Sequence, residues 1–367
     1  MKRILYSTVL LGAVGLYTFG QQQALPPQTA TADPTIKVTR FNVSAPTIVT
    51  DKNGSFVDDL TSKDFRLYDN GKLQDGVVVD STVNPISMVV AIQANGGMTA
   101  VLPKLKHVGS LLEGEILGEN GEAAILAFDH RQQVIQDFTH DGAAFNRALE
   151  RINPGSSTHA MIDALNKSVL MLRNRPKENR KVILLIGEDY DNGSQTKARE
   201  VLTSAEFGNI TVYVVSVSRY VTQATGERVP QRTSAIPPAA SMGTLPGPVP
   251  ATPLGIEQIK GVPGSTAVDF KPIIQDIISE SKKIFVQPPA EVLATYTGGK
   301  KYDFFKEKGL ESAFRAISGE LHREYLLTYT PSNLTEGGYH EIVVQVDRPK
   351  LAVRTRPGYW YAGQPSQ

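Results

Sequence analysis

Apolar residues crowd the stretch from Ile86 to Ile92, where five of seven positions are Ile, Val or Met. Small polar residues follow at once in Gln93-Ala-Asn-Gly-Gly97. An uninterrupted apolar run of this length predicts a parallel strand covered on both faces. Behind it Leu102, Leu105, Val108, Leu111, Leu112 and Ile116 recur at helical spacing, which predicts a helix over 99–117 with Pro103 in its first turn. Further buried strands are predicted at 122–129, 181–186 and 210–217, with an antiparallel companion at 133–138 across the turn Asp129-His-Arg-Gln. Amphipathic helices are predicted over 141–152, 160–173, 195–207, 270–285, 290–296 and 310–321, the second capped by Ser157-Thr158. Buried strands alternating with such helices make an α/β fold, a doubly wound and mostly parallel sheet. Ligands of these sheets bind at the carboxyl ends of central strands, so the loop after Ile92 is the place to look.

The chain ends follow a different period. TIKVTRFNVSAPTIVTD from Thr35 is alternating or β-branched, and Phe65-Arg-Leu-Tyr-Asp69 runs into Asn70-Gly71, a strong hairpin signal. With a strand over 77–83, this flank is expected to form four or five strands. A strand over 324–330 is expected to close the α/β segment, and late strands at 339–346 and 351–354 are expected to pair with the N-terminal flank in one β layer built from both chain ends. The expected division is 1–20 signal peptide, 21–34 flexible linker, 35–84 N-terminal β module, 85–330 α/β domain and 331–367 C-terminal strands and tail. Residues 219–267, with Pro230, Pro237, Pro238, Pro246, Pro248, Pro250 and Pro253 among Gly, Ala, Ser and Thr, cannot bury enough apolar surface to offset ordering and are expected to be a mobile insertion.

The order of these landmarks resembles a von Willebrand factor type A domain. The strand into QANGGM resembles that family's D-x-S-x-S loop, GSST158 with Asp163-Ala-Leu165 its G-G-T-x-x-x-D-A-L, and KVILLIGEDYDN its strand followed by T-D-G-x-D-N. The flanks VTDKNGSFVDDLTSKDFRLYDNGKLQ, ATYTGGKKYDF, ISGELHREYLLTYTP and RPGYWYA are similar to exported VWFA-related proteins first catalogued in acidobacteria, so the resemblance runs from Val38 to Tyr361. It implies that the family's metal-holding positions fall here at Gln93, Asn95, Gly97, Thr158 and Glu188. Mg²⁺ asks for near-octahedral hard oxygens and yields its waters reluctantly without carboxylate charge. Two neutral amides, a glycine, one hydroxyl and one carboxylate make a degenerate site, and no cofactor is expected. Asn95, Thr158, His159, Glu188, Asp189 and Asp191 are the candidate binding edge.

Composition narrows the partner. A formal net charge of +1 over 367 residues gives no electrostatic reason for nucleic acid or an anionic membrane. There is no cysteine, which excludes disulfides, thiolate metal sites and a Cys nucleophile. Lys2-Arg3, the apolar run from Ile4 to Phe19 and Thr18/Gly20 read as a secretory signal cleaved after Gly20, too short for the ~20 residues of a spanning helix. An exported protein, periplasmic or extracellular, without membrane insertion after cleavage is therefore expected; an uncleaved anchor is the alternative. The acidic loop Glu188, Asp189, Asp191 satisfies no EF-hand register and reads as solvated. Asp129, His130, Asp137, His140 and Asp141 fall by hairpin turns and read as surface residues. No G-x-S-x-G, H-E-x-x-H, P-loop or G-x-G-x-x-G in context occurs. The expectation is a non-catalytic scaffold that binds another protein. A metal-dependent adhesion module with a weak Mg²⁺ site and an extracytoplasmic hydrolase of unrecognised type are its rivals.

Overall fold

The computed structural model describes residues 41–82, 84–105, 109–118, 120–217, 288–304, 307–334 and 337–361. The expected signal, linker, proline-rich insertion and helix over 270–285 lie outside the described residues.

The main sheet has six strands in the order β10-β9-β8-β5-β6-β7. These are β10 Lys301–Phe304, β9 Ile210–Val217, β8 Arg180–Gly187, β5 Ile86–Gln93, β6 Glu122–Phe128 and β7 Gln132–Thr139. All neighbours are parallel except β7, the expected antiparallel edge strand. Every residue of β5 is buried because the strand feeds two cores at once. Met88, Val90 and Ile92 face one layer with Phe145 of α3 (Gly142–Glu150) and Phe314 of α7 (Glu307–Leu321). Val89 and Ala91 face the other with Leu165 of α4 (Met161–Arg173), Leu202 of α5 (Ala198–Phe207) and Leu293 of α6 (Pro289–Tyr296). That is the doubly wound architecture the apolar runs predict. Within the stretch expected to be helical, 99–117, the described residues are helical at α1 Leu102–Leu105 and α2 Gly109–Leu111 and pass into π-type turns over Leu112–Leu117. A Cβ at Gly109 would meet the Asn146 side chain of α3, so the glycine lets the two helices approach closely.

Both flanks build a second body, as expected, but in two layers. Sheet β13-β1-β11-β4 (β13 Leu351–Thr355, β1 Val43–Asp51, β11 Tyr325–Tyr329, β4 Val78–Asp80) and sheet β14-β12-β2-β3 (β14 Gly358–Tyr361, β12 Gly338–Val346, β2 Phe65–Asp69, β3 Lys72–Leu73) share one core. Val43, Ala45 and Leu327 come from the first, Leu67, Ile342 and Val344 from the second. It is a sandwich of two four-stranded sheets rather than the one layer expected from both flanks. Strand β11, read from sequence with the α/β segment, pairs with β1 and β4. Its burial alternates, with Tyr325, Leu327 and Tyr329 inward, which suits a sandwich and not a strand covered on both faces. Asn70 and Gly71 take positive φ of 49° and 75° and close the β2–β3 hairpin as their sequence predicts.

Sequence pattern gives no hint of what centres this sandwich. Asp69 is wholly buried and accepts from Tyr329 Oη (2.8 Å), Tyr359 Oη (2.9 Å) and Asn333 Nδ2 (3.0 Å), with His340 Nδ1 at 2.8 Å. A buried carboxylate is tolerable only when its lone pairs are filled in this way.

Buried charge also lines the junction with the α/β body. Glu324 sits 3.8 Å from Arg180, and Arg354 pairs with Glu320 while donating to the carbonyls of Gly298 and Gly299. Glu206 of α5 faces Arg356 and accepts from the Trp360 N–H at 3.4 Å. Burial pushes Glu206 up to about 7 against the pull of Arg356, and Glu324 up to about 7 against Arg180 and Arg354. Both carboxyls hold their protons more tightly folded than unfolded, so their contribution is complete below about 4.5 and is lost as pH rises through about 7. Each is worth at most about 3 kcal/mol. The melting temperature is therefore expected to fall between pH 5 and pH 8, and Glu206→Gln with Glu324→Gln to flatten that slope; a melting temperature that climbs over this range contradicts the assignment.

Candidate functional site

The carboxyl ends of β5 and β8 meet through one amide. Gln93 closes β5, fully buried; its Nε2 donates to Glu188 Oε2 at 2.9 Å and its Oε1 accepts from the Glu188 N–H at 2.7 Å. Gly187 makes room for it, since a Cβ there would lie 2.6 Å from Gln93 Oε1. Alongside, Asn95 Nδ2 lies 3.3 Å from His159 Nδ1, and His159 Nε2 lies 3.1 Å from the Tyr190 carbonyl and 3.9 Å from Glu188 Oε2. His159 is fully buried and its backbone N–H donates to Asn192 Oδ1 at 2.8 Å. Residues from three loops thus form one internal chain of polar contacts. Asn95 Oδ1 is the buried atom of this group with no hydrogen-bond partner.

The other sequence candidates separate. Asp191 is buried, not solvated, and serves α4: Oδ1 accepts from the Ile162 N–H (3.1 Å) and Ser194 Oγ (2.6 Å), and Oδ2 from the Ser194 N–H (3.1 Å). Ser194 Oγ in turn accepts from the Asp163 N–H at 3.0 Å. These bonds satisfy the orphan amides at the start of α4 that Ser157-Thr158 were expected to cap; the residue at the cap position is Ala160, which has no side-chain acceptor. Asp189 is tied to Lys301 Nζ at 3.1 Å, so the acidic loop is not a solvated one. Gly97 contributes only backbone to the turn Gly96–Met98, and Thr158 is half-buried with its methyl against Gly193. Facing outward at this edge are Ser157 and Asn192, with Thr158 and Tyr190 partly exposed.

Asp129, at the end of β6, is a residue the sequence placed on the surface. It is buried and accepts from the N–H groups of Ser156 (3.0 Å) and Arg131 (2.7 Å), while its carbonyl accepts from the Ala160 N–H (2.7 Å). Burial raises its carboxyl, but those N–H donors and the Arg131 guanidinium outweigh it and hold it down at about 2. An Asp ending a buried strand ahead of a turn was the available signal. His130 Nδ1 lies 2.8 Å from Ser156 Oγ and 3.3 Å from Asp129 Oδ2. Both contacts fall on one ring nitrogen, whereas a nucleophile–base–acid relay puts hydroxyl and carboxylate on opposite nitrogens.

No family model and no curated protein sequence matches the chain. Among solved structures it is similar in fold to a von Willebrand factor type A protein from Catenulispora acidiphila, 12% identical over 82% of this chain and 64% of that one, with a TM-score of 0.42. It is also similar to an aerotolerance-related membrane protein from Bacteroides fragilis, 16% identical over 64% of this chain and 98% of that one, TM-score 0.39. A third is BatB from Bacteroides thetaiotaomicron, 21% identical over 36% of this chain and 66% of that one, TM-score 0.31. The chain spans less than two thirds of the Catenulispora and BatB structures. Likenesses this distant carry nothing about activity.

Gln93→Met keeps the volume but removes both bonds to Glu188, and is expected to cost about 3 kcal/mol in chemical unfolding. Asn95→Met, which removes one long contact and one unpartnered oxygen, is expected to cost less than about 1 kcal/mol. Equal losses would remove the special place given to the Gln93 bridge.

Proposed function

We propose that this chain is an exported, non-catalytic protein-binding module of the von Willebrand factor type A kind whose recognition edge works without a divalent ion. The reading rests on the Gln93–Glu188 bridge. Where the resemblance calls for a carboxylate oxygen facing a cation, Gln93 offers an N–H donor to Glu188, and its oxygen is taken by the Glu188 backbone. The Asn95 amide is directed to His159, and position 97 has no side chain. Such a donor set does not fit Mg²⁺, which needs converging hard oxygens. Hydrogen bonds now hold the three loops in register, the task a shared cation would otherwise perform. The shape presented outward by Ser157, Thr158, Tyr190 and Asn192 is the recognition surface.

A hydrolase reading would need a nucleophile oriented by a base, and the Ser156–His130–Asp129 contact has the wrong connectivity for it. Capture of a binding partner from an envelope and secreted fraction tests the proposal. Retention is expected to be equal in EDTA and in Mg²⁺ and to be lost with Ser157→Arg plus Asn192→Arg. Retention abolished by EDTA would restore the metal-dependent reading, and turnover in a broad hydrolytic screen would replace it with an enzyme.

A further inference from the structure

The opposite end of the sheet carries a second surface. Where the amino ends of β8 and β9 emerge, a cleft of about 500 Å³ opens between the α4–β8 and α5–β9 connections. Arg173, Lys177 and Lys181 line it, together with Asn179, Asn209 and Phe207. Basic and acidic residues nearly cancel over the whole chain, 38 against 37, yet three cations converge here. Glu178 acts on Lys181 in the opposite sense. Burial and the neighbouring Lys177 hold the Lys181 ammonium below its ordinary value, so an arriving anion would relieve an existing repulsion.

We propose that this cleft binds a segment of an acidic polysaccharide, a chain of sugar rings carrying spaced single negative charges. Three features favour that ligand over a compact phosphate. First, helices α4 and α5 both end here, and their carbonyl ends bring partial negative charge to the floor, the reverse of a phosphate-binding helix start. The positive charge sits on long side chains around the rim, suited to groups several ångströms apart. Second, Phe207 is 60% exposed although it is a large aromatic at the end of a helix. It touches Phe41 edge-on with ring centroids 6.1 Å apart, which leaves ring surface for the apolar face of a sugar. Third, Asn179, anchored through Nδ2 to Ser87 Oγ at 2.9 Å, and Asn209 line the same wall, and their amides carry groups that hydrogen-bond hydroxyls. Cations, amides and an open aromatic ring together match an acidic glycan.

Calorimetric titration of the whole chain with alginate, a polyuronate, tests this, with neutral dextran, inorganic phosphate and single-stranded DNA as comparison probes. Alginate is expected to bind at low salt and weaken steeply as NaCl rises. Lys177→Gln with Lys181→Gln is expected to lower its affinity at least about tenfold. Phe207→Ser is expected to weaken it about threefold without changing the salt dependence, a readout that charge alone does not give. If the double variant does not fold, Lys177→Gln alone, at an exposed position, carries the test. No alginate binding at low salt, binding indifferent to all these variants, full competition by inorganic phosphate, or tighter binding of the DNA would each overturn the proposal.

Discussion

A single buried amide decides how the carboxyl edge of this sheet is held together. Gln93 ends the central strand and bonds both the backbone N–H and the carboxylate of Glu188 at the end of its neighbour. Everything around it is arranged to allow that reach: Gly187 lacks the Cβ that would block it, and β5 and β8 lie in register from Ile86/Arg180 to Ile92/Ile186. Asn95, His159 and Tyr190 extend the chain of contacts sideways into the other two loops. Asp191 and Asp129 then lock those loops to the start of α4. In a low-dielectric interior such networks rigidify to the extent that they are satisfied, and the cost here falls on Asn95 Oδ1, which has no partner. The edge is thus preorganised by hydrogen bonds, and preorganised surfaces bind with less ordering entropy to offset.

The sandwich solves a different problem, that of joining residues far apart in sequence. Asp69 gathers donors 260 to 290 positions away, from Tyr329 and His340 to Tyr359. One carboxylate therefore ties the N-terminal hairpin to three C-terminal segments. The junction beside it is more sensitive, because Glu206 and Glu324 are buried close to arginines, and Glu206 Oε1 and Arg356 Nε have no hydrogen-bond partner. Burial there dominates pairing, which is why these two carboxyls hold protons near neutral pH while Asp129, with N–H donors on both oxygens, holds none.

Much of the architecture was legible because it is written in local period. The unbroken apolar run of β5 announced a strand covered on two sides, and Asn70-Gly71 announced its hairpin. The resemblance pointed to Gln93, Asn95, Gly97, Thr158 and Glu188, and of these Gln93, Asn95 and Glu188 join one chain of contacts. What stayed hidden depends on partners distant in the chain. Asp191 looked like a member of a solvated acidic loop because nothing local shows that α4, beginning at Met161, needs its carboxylate. Asp129 looked like a turn residue for the same reason, and Asp69 like one more hairpin residue. The strand β11 was misplaced since EYLLTYT reads equally as the last strand of one body or the first of another, and only its alternating burial, once paired, separates the two.

The central claim is that hydrogen bonds rather than a cation close this edge, and thermal unfolding of the whole chain in EDTA, millimolar Mg²⁺ and millimolar Mn²⁺ tests it most directly. A protein whose folded state binds an ion must melt later as that ion is added, by an amount that grows with concentration over the dissociation constant. Coincident melting curves in all three conditions are what the Gln93–Glu188 bridge predicts. A stabilisation that saturates with added metal, and disappears in Glu188→Gln, would contradict it.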